Sequence, residues 1–476
     1  MTEAQAAYTR ARRAHWDKVA RTPESERSWG QCYHRRLIEV YRSLVLPGQR
    51  VIEIGCAFGD LLAAVAPGRG VGVDFSGEMI NLARQRHPAL EFIEADAHDF
   101  EIDEVFDIVI MSDLLNDLWD VQTVFARVSR LCHGHSRVII NGYSRLWEIP
   151  LNAARRLGLA KPNLLQNWLT VADITNLLYL EDFEVIRHWS EVLCPVAIPL
   201  IEPLFNRFLV KLWPFRIAAL ANIIVAAPCA ASRSFSRPPV VSVIVPARNE
   251  AGHIPEIVRR VPEMGIATEL IFVEGHSQDH TFAAIQQAIA NNPHRRCKVF
   301  QQTGKGKGDA VRLGFAQAEG DILMILDADM TVPPEDLPRF YEAIVSGKGE
   351  FINGVRLVYP MEDRAMRFLN LVGNKFFSLM FTWLLGQPIK DTLCGTKVLF
   401  REHYEKIAAH RSYFGEIDPF GDFDLLLGAA RLNLKILEMP IRYRERQYGE
   451  TNIRRWAHGA LLLRMAVLAA KRLKFV

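Results

Sequence analysis

The chain has 476 residues, of which 49% are hydrophobic and 23% charged, a globular composition long enough for two or three domains. Its formal net charge of +3 is small for this length and argues against a nucleic-acid-binding protein. The seven cysteines are scattered without a Cys-x-x-Cys pair, which argues against a disulfide framework or a structural zinc site and fits a reducing cytoplasm.

The sequence contains no obvious membrane-spanning segment. The N-terminus is charged and lacks the apolar core of a signal peptide. The longest uncharged run, residues 217–232, contains Pro228 and falls short of the roughly 20 residues that a spanning helix needs. We therefore expect a cytoplasmic protein that contacts a membrane, if at all, at the surface.

The first half of the chain begins with helical patterns over residues 1 to about 50. A short apolar strand, 51–54, then runs into the turn 55–59 and a helix. The glycines of such a strand-to-helix turn let the backbone approach a nucleotide-like ligand closely. Asp74 ends the next strand, 19 residues after Gly55 (74 − 55), where an acid can accept hydrogen bonds from ribose hydroxyls.

Two further strands in this half end in acids, one at Asp96 and one at Ser112-Asp113, and a fifth strand follows a helix. An isolated Gly-x-x-x-Gly turn would be weak support for a ligand site. The regular spacing of strands that end in acids supports it much more strongly.

Residues of about 30 to 145 resemble the class I S-adenosylmethionine-dependent methyltransferases. Glu53-x-Gly55-x-x-x-Gly59 is similar to the first motif of that family, Asp74 to its ribose-binding acid and Asp96 to its adenine-contacting acid. The resemblance implies a Rossmann-like domain that binds S-adenosylmethionine through Glu53, Gly55, Gly59, Asp74, Asp96, Ala97 and Ser112.

The methyl acceptor is not identified by this resemblance. Ala57 stands where the family most often has glycine, and no Asn-Pro-Pro-Tyr-like motif of amide methylation is present. His98, His133 and His135 could act as bases toward a hydroxyl acceptor, or could be surface and loop residues.

Residues 146 to about 230 extend the first domain and end in a strand-like run, ALANIIVAAP. Within them, residues 193–215 are apolar and interrupted by four prolines, which fits a substrate lid, a membrane-touching patch or buried packing. The following stretch is rich in small residues and serine and ends in prolines, as linkers do. We therefore predict a first domain over 1–230, a linker over 231–239 and a second domain over 240–476.

The second domain begins with an apolar strand, 240–245, followed by PARNE. A glycine- and lysine-rich run, 304–308, then opens a helix, and its lysines can neutralise phosphate. The helix leads to a buried strand, 322–326, that ends in Asp327 and Asp329. Two acids at the carboxyl end of such a strand can hold a divalent cation that clamps a diphosphate, or can simply begin a turn.

Residues of about 240 to 452 resemble glycosyltransferase family 2, through VSVIVPARNE, GKGKGDAVRLGFAQAEGDILMILDAD and ERQYGETN. The nearest resemblance is to the polyprenyl-phosphate mannosyl- and glucosyltransferases. It implies a GT-A α/β domain, a nucleotide-sugar donor, a lipid-phosphate or glycolipid acceptor, and Mg²⁺ or Mn²⁺ held by Asp327 and Asp329. The implied donor-site residues are Pro246, Ala247, Asn249, Glu250, Glu274, Lys305, Lys307, Asp327 and Arg446, and the candidate catalytic acids are Asp391, Asp422 and Asp424.

Two positions depart from the family pattern. Glu274-Gly275 replaces a usual pair of acids, and Asn452 stands where lysine is frequent. The nucleotide therefore stays open between UDP and GDP.

Two apolar helical stretches, 365–386 and the C-terminal one, carry interspersed or flanking basic residues, which suits an interfacial position at a membrane or packing on the core. The sequence thus predicts an α/β enzyme with two activities. The alternatives are a non-catalytic cofactor-binding or scaffold module in the first half, and a soluble sugar acceptor.

Overall fold

The computed structural model describes residues 3–21, 31–156, 164, 166–229, 235–356, 368–413, 421–442 and 463–475. Internal contacts divide the chain into two compact units, Met1–Ser232 with Phe475–Val476, and Arg233–Lys474. Arg446 and Asn452, two positions singled out in the sequence, lie outside the described residues.

The first unit contains seven strands and eight helices within its described residues. The strands are β1 Arg50–Ile54, β2 Arg69–Asp74, β3 Glu91–Glu94, β4 Phe106–Ser112, β5 Cys132–Tyr143, β6 Phe183–Glu191 and β7 Ala221–Pro228. The helices are α1 Glu3–Ala20, α2 Gln31–Leu44, α3 Asp60–Ala64, α4 Gly77–Arg86, α5 Val121–Arg130, α6 Glu148–Arg156, α7 Val171–Leu180 and α8 Ile201–Pro203.

These strands form one sheet in the order β3-β2-β1-β4-β5-β7-β6. The first five are parallel, and β7 runs antiparallel to both β5 and β6. One apolar face packs against α5 and α7, and the other packs against α2, α3 and α4. The strand order reverses between β1 and β4, so a crevice opens there at the carboxyl ends of the strands, where open α/β sheets bind ligands.

The apolar stretch of residues 193–215 is largely exposed to solvent and is not packed in the core. Leu200 is 86% exposed and Trp213 is 74% exposed. The other exposed large apolar residues of this surface are Val196, Ile198, Ile201, Leu204, Phe208, Leu212, Phe215 and Ile217. We call this set, together with Leu200 and Trp213, the apolar surface.

The second unit also contains seven strands. They are β8 Val240–Ala247, β9 Ala267–Glu274, β10 Arg296–Gln301, β11 Ile322–Ile325, β12 Phe351–Val355, β13 Lys397–Phe400 and β14 Ile436–Pro440. Its helices are α9 Ile254–Arg260, α10 Thr281–Asn291, α11 Lys307–Ala316, α12 Leu337–Val345, α13 Phe368–Leu385, α14 Arg401–Ala409 and α15 Asp422–Arg431, and residues 463–469 are helical as well.

The second sheet has the order β10-β9-β8-β11-β13-β12-β14. Strands β8 to β11 are parallel, β13 is antiparallel to both β11 and β12, and β14 is parallel to β12. Helices α9, α10 and α12 cover one face, whereas α11, α13 and α15 cover the other. The strand order reverses between β8 and β11, which places the second crevice at the ends of those two strands.

The described parts of the two stretches predicted to be interfacial, Phe368–Leu385 and residues 463–469, are helical. In the C-terminal one, Met465 and Ala469 pack in the core and Leu463 and Val467 are exposed. Across the described ranges, no helix is both long and apolar enough to cross a membrane. The prediction of two α/β domains is confirmed by the two sheets with helices on both faces.

Candidate active sites

The turn after β1 has the backbone conformation that its glycines require. Gly55 and Gly59 have φ values of 76° and 73°, in the left-handed region. A Cβ on Gly55 would lie 2.9 Å from Leu114 Cδ1, and one on Gly59 would lie 2.6 Å from the Phe92 ring. Ala57 also has a positive φ, 45°, which explains why glycine suits that position and why alanine, the smallest side chain, is tolerated.

Asp74 ties this turn to β2. Its Oδ2 accepts a hydrogen bond from Ala57 N at 2.9 Å, and its Oδ1 accepts one from Ser76 N at 2.9 Å. Burial raises the pKa of Asp74, although these backbone donors oppose the shift. The carboxylate is thus fixed at the end of its strand, beside the turn.

Glu53 is a second acid of this crevice. It lies within β1 and is buried, and its Oε2 has no hydrogen-bond partner in the part of the chain that the structure describes. Burial raises its pKa well above the usual value. The unpaired buried oxygen of Glu53 would gain from a positively charged ligand group, and the glycine turn lets the backbone lie close to a nucleoside. Both features fit S-adenosylmethionine, a nucleoside cofactor with a cationic sulfonium.

Asp96 lies just beyond β3 and is engaged by His98. His98 N donates to Asp96 Oδ1 at 2.9 Å, and His98 Nδ1 lies 2.7 Å from the same oxygen. Partial burial opposes the change, but the hydrogen bonds from His98 hold the pKa of Asp96 below its usual value. Because His98 Nε2 accepts from Asp120 N at 3.1 Å, both ring nitrogens are occupied and His98 is poorly placed to act as a base.

The other two candidate histidines lie at the end of the sheet away from the Gly55 turn. His133 and His135 belong to the amino-terminal part of β5, opposite the edge that carries the Gly55 turn. His133 Nε2 lies 3.3 Å from Asp107 Oδ1, and its Nδ1 accepts from His135 N at 3.1 Å. Ser112, at the end of β4, and Ala97, just beyond Asp96, are half-buried near the crevice.

The sequence did not identify the polar network beside this turn. Tyr33 of α2 donates to Asp113 Oδ1 at 2.7 Å, and Asn141 Nδ2 of β5 donates to the same oxygen at 2.6 Å. Tyr41 OH in turn donates to Asn141 Oδ1 at 2.7 Å. The sequence showed that Asp113 ends a strand, but the partners come from 80 residues before it and 28 after it, so no local pattern could reveal them.

In the second unit, the two acids that follow β11 face a lysine. Lys307, the first residue of α11, places Nζ 2.6 Å from Asp327 Oδ1. Burial lowers the pKa of Lys307, but the negative charges of Asp327 and Asp422 outweigh it and raise the pKa above its usual value. Lys307 is therefore a fixed positive charge at the end of the strand.

Asp329 is held by a turn of its own. Its Oδ1 accepts hydrogen bonds from Thr331 N at 3.1 Å and from Thr331 Oγ1 at 2.8 Å. Burial and the neighbouring negative charge of Asp327 raise the pKa of Asp329. A carboxylate destabilised in this way gains from a nearby cation.

Two glycines that the sequence did not single out bring other segments close to the lysine and the acids. A Cβ on Gly395 would lie 2.0 Å from Asp327 Oδ2 and 2.3 Å from Lys307 Nζ. Gly421, with φ 76°, precedes α15, and a Cβ there would lie 2.9 Å from Gly308 Cα. These approaches set the loop before β13 and the start of α15 against the start of α11.

The three candidate catalytic acids have different surroundings. Asp391 is fully buried, and Arg356 contacts both of its oxygens, with Nε at 2.7 Å and a terminal nitrogen at 2.8 Å. Burial opposes the change, but the charge and hydrogen bonds of Arg356 lower the pKa of Asp391 to about 2. A carboxylate so held is a weak base.

Asp424 and Asp422 both belong to the first turn of α15. Asp424 accepts a hydrogen bond from Arg411 Nε at 2.8 Å. Asp422 Oδ1 lies 3.1 Å from Nζ of the fully buried Lys397. Its negative charge also helps to raise the pKa of Lys307. Of the three acids, Asp422 is the one whose charge acts on the Lys307–Asp327 pair.

Five of the nine predicted donor-site residues lie in the last residues of β8 and β9 or directly after β8. Asn249, with φ 57°, accepts at Oδ1 from Gln278 N at 2.8 Å, and Glu274 Oε1 accepts from Ser277 N at 2.5 Å. Glu250 is buried and its Oε2 lies 2.9 Å from His253 Nδ1. The residues that end β8, Pro246 and Ala247, pair with Val273 and Glu274 of β9, and Lys305 is exposed at the tip of its loop.

The oxygen donors in this crevice suit a hard divalent cation. Asp327 and Asp329 supply carboxylate oxygens of the kind that Mg²⁺ and Mn²⁺ prefer. Asp422 adds a third negative charge, which Lys307 and Lys397 offset only in part. The residues present therefore fit the predicted metal.

Both halves of the chain match known protein families. Residues 46–179 match the family model described as a methyltransferase domain, and residues 242–408 match that of glycosyl transferase family 2.

Curated relatives cover the second half. A dolichol-phosphate mannosyltransferase of Pyrococcus furiosus is 29% identical, covering 45% of this chain and 59% of its own length. An undecaprenyl-phosphate 4-deoxy-4-formamido-L-arabinose transferase of Pseudomonas aeruginosa is 34% identical, covering 44% of this chain and 60% of its own. The chain thus spans less than two thirds of these relatives.

Similar solved structures exist for each half. Glucosyl-3-phosphoglycerate synthase of Mycobacterium tuberculosis, with Mn²⁺, UDP and product, is 19% identical over 49% of this chain and 80% of its own, with a TM-score of 0.38. A possible histamine N-methyltransferase of Thermotoga maritima is 17% identical over 45% of this chain and 98% of its own, with a TM-score of 0.35. At these low identities and TM-scores, neither solved structure bears on the activity of this chain.

Proposed function

Because the chain joins a methyltransferase domain to a family 2 glycosyltransferase domain, as both resemblances predicted, we propose that it is a bifunctional transferase. One site transfers a methyl group from S-adenosylmethionine. The other transfers a sugar from a nucleotide-sugar to a polyprenyl phosphate or related glycolipid at a membrane surface.

The observation that carries the glycosyl transfer is the charged cluster at the end of β11. Asp327 and Asp329 would hold Mg²⁺ or Mn²⁺, which when bound neutralises a diphosphate leaving group. Lys307, fixed 2.6 Å from Asp327, adds positive charge where the diphosphate departs. The loops after β8 and β9, with Asn249, Glu250 and Glu274, lie at the same sheet edge and would bind the nucleotide.

Among the three candidate catalytic acids, Asp422 is the proposed base. It lies at the start of α15 against the Lys307 end of α11 and pairs with Lys397 through Oδ1, whereas Arg356 engages both oxygens of Asp391 and Arg411 holds Asp424. An acceptor hydroxyl would lose its proton to Asp422 as its oxygen attacks the sugar carbon. A phosphate acceptor is already ionised and needs no base.

A lipid acceptor is supported by the names of the curated relatives, which transfer to dolichol phosphate and undecaprenyl phosphate. The apolar surface of the first unit also supports membrane contact. It contains exposed Trp213 and Phe215 beside exposed Arg207 and Arg216, and the single acid of residues 193–218, Glu202, is buried. Aromatic and basic side chains around apolar ones suit the headgroup region of an anionic bilayer.

The glycosyl transfer is tested with radiolabelled UDP- and GDP-sugars, Mn²⁺, and vesicles of anionic phospholipid that contain a polyprenyl phosphate. We expect label in the organic extract with one donor, and its loss in Asp329→Asn. Asp336→Asn is the matched control, since Asp336 lies beyond the cluster in the turn before α12 and should keep full activity. Transfer that survives in Asp329→Asn would contradict the proposal.

Membrane contact is tested by sedimentation with the same vesicles. We expect the chain to pellet, and the double variant Leu200→Ser, Trp213→Ser to remain mostly in the supernatant. Ile266→Ser, which removes an exposed apolar side chain from the second unit, is the control. A wild-type chain that stays in solution and glycosylates a water-soluble acceptor would instead support the alternative of a soluble acceptor.

A further inference from the structure

The Tyr41–Asn141–Asp113–Tyr33 network lies at the edge of the sheet where the methyl donor would bind. Asp113 directly follows β4, the neighbour of β1, and the next residue, Leu114, touches the Gly55 turn. Asn141 stands near the carboxyl end of β5, so the network and the Gly55 turn share one crevice.

The backbone and hydrogen bonds of Asp113 fix its carboxylate at this edge. Its φ is 53°, in the left-handed region, where non-glycine residues are uncommon and strain is often associated with function. Both recorded donors, Tyr33 OH and Asn141 Nδ2, go to Oδ1. Within the described residues, no donor contacts Oδ2, so one oxygen is held and the other is available to a ligand.

Aromatic rings line the same edge. Tyr33 and Tyr143 have ring centroids 5.8 Å apart, and Tyr143 and Trp168 are 6.4 Å apart with an interplanar angle of 38°. Tyr143 and Trp168 are half-buried, so part of each ring is accessible. Rings arranged in this way offer flat apolar faces to a ligand ring.

A buried amide oxygen near this edge lacks a hydrogen-bond partner within the described part of the chain. Asn116, in the turn after β4, is 4% exposed, and its Oδ1 has no hydrogen bond across the described ranges. A Cβ on Gly142 would lie 3.3 Å from this oxygen, which places it against the end of β5. Buried polar atoms left unpaired in a crevice are natural partners for a ligand hydroxyl.

We propose that this crevice binds a neutral, ring-borne hydroxyl, as in a sugar or a phenol, and that Asp113 is the catalytic base for its methylation. The inference rests on the proposed methyl transfer and identifies its acceptor class. The side chains recorded here, tyrosines, asparagines, a tryptophan and one acid, are suited to an uncharged hydroxyl compound.

The step balances without a further reactant. The acceptor O–H bond breaks and its proton goes to Asp113 Oδ2, while the oxygen forms a bond to the methyl carbon. The S–CH₃ bond breaks with its electron pair going to sulfur, which turns the sulfonium into a neutral thioether. Tyr33 and Asn141 keep the other oxygen of Asp113 in place throughout.

The protonation of Asp113 suits this role. Burial raises its pKa to about 7, with the negative charge of Asp117 adding to the shift and the hydrogen bonds from Tyr33 and Asn141 opposing it. The other titratable groups around it are Tyr33, Tyr41 and Tyr143; burial raises the pKa values of Tyr33 and Tyr41 well above 10, so both stay protonated donors. Asp117 is paired with Arg12 at 3.6 Å. A base whose pKa lies near the working pH is the efficient kind.

The test uses the full chain with methyl-labelled S-adenosylmethionine and four acceptor groups: nucleotide-sugars, methyl glycosides, simple phenols and primary amines. We expect label on a sugar or a phenol, and the two arms distinguish these sources. In Asp113→Asn, kcat should fall at least 100-fold, while calorimetry shows S-adenosylmethionine affinity within about 2-fold of wild type.

Tyr33→Phe separates a base from a merely structural acid. Removing the Tyr33 hydrogen bond should move the acidic limb of the kcat–pH profile upward by about one pH unit, because that bond favours the ionised carboxylate. Tyr179→Phe is the control, since it removes a tyrosine hydroxyl from the exposed surface of α7 and should leave the limb in place.

The outcomes are decisive in either direction. Methylation of amines alone, absence of transfer to every hydroxyl probe, or unchanged kcat in Asp113→Asn would overturn the inference while the methyl-donor site still stands. Failure of the wild-type chain to bind S-adenosylmethionine would overturn the proposed methyl transfer itself, and this inference with it.

Discussion

The aspartates of the second unit show how surroundings decide the role of a residue. Asp391, Asp422 and Asp424 occur close together in the sequence and are chemically identical. Arg356 fixes Asp391 and Arg411 fixes Asp424, whereas Asp422 pairs with Lys397 and also lies near the positive charge of Lys307. The ion pair with Arg356 lowers the pKa of Asp391 and makes it a weak base.

We predict that the Asp391–Arg356 pair is structural. Asp391→Asn should lower the free energy of unfolding of the second unit by about 3–5 kcal/mol, because the partly buried Arg356 loses the carboxylate that it pairs with. Arg356→Gln should cost a similar amount, and the double variant much less than the sum. Denaturant titration of the four proteins measures this coupling, and additive losses would contradict it.

The same pair predicts the response to acid. The pKa of Asp391 lies at about 2, below the ordinary 3.8. A depressed pKa stabilises the fold above the unfolded-state pKa, and that stability is lost as the pH falls from about 4 toward 2. The loss should be absent from Asp391→Asn in the same titration.

Asp329 has the opposite shift, since burial and Asp327 raise its pKa. Without a cation, the second unit should therefore lose stability as the pH rises through that raised pKa. Mn²⁺ binds the ionised form, so its stabilising effect should grow with pH. Thermal melting with and without Mn²⁺ between pH 5 and 8 tests this expectation, and an effect that is the same at every pH would contradict it.

At the scale of elements, both crevices lie where the strand order of a sheet reverses. The sequence could predict them because apolar runs end abruptly in acids: Asp74 closes β2, and Asp327 and Asp329 follow β11. The end of a strand is a local feature, so the local pattern of apolar and acidic residues is enough to predict it.

What the sequence could not reveal depends on distant contacts. Strand β7 lies between β5 and β6, and β13 enters the second sheet antiparallel, although neither choice leaves a periodic signal. Gly395 and Lys397 stand in the same short motif as Asp391, yet their proximity to Asp327 and Asp422 comes only from the fold.

The loop before β13 gives a prediction at this scale. In Gly395→Ala the added methyl group would displace Lys307 or Asp327, so we expect at least a 10-fold loss of glycosyl transfer with the fold retained. Gly373→Ala is the matched control, because a Cβ there meets nothing within 4 Å. Equal activities of the two variants would show that the Lys307–Asp327 contact does not matter for transfer.

The whole molecule consists of two compact units, each with its own sheet, core and crevice. With both units acting as proposed, their fusion would raise the local concentration of the product of one near the other. If coupling of this kind is the purpose of the fusion, the units separated near residue 232 should retain their single activities but show slower combined turnover.

The most direct test of two independent donor sites is calorimetry on the full chain. S-adenosylmethionine, and a UDP- or GDP-sugar with Mn²⁺, are titrated into wild type, Asp74→Ala and Asp329→Ala. We predict that Asp74→Ala loses only S-adenosylmethionine binding and Asp329→Ala loses only nucleotide-sugar binding. Absence of either ligand from wild type, or loss of both in a single variant, would contradict the account.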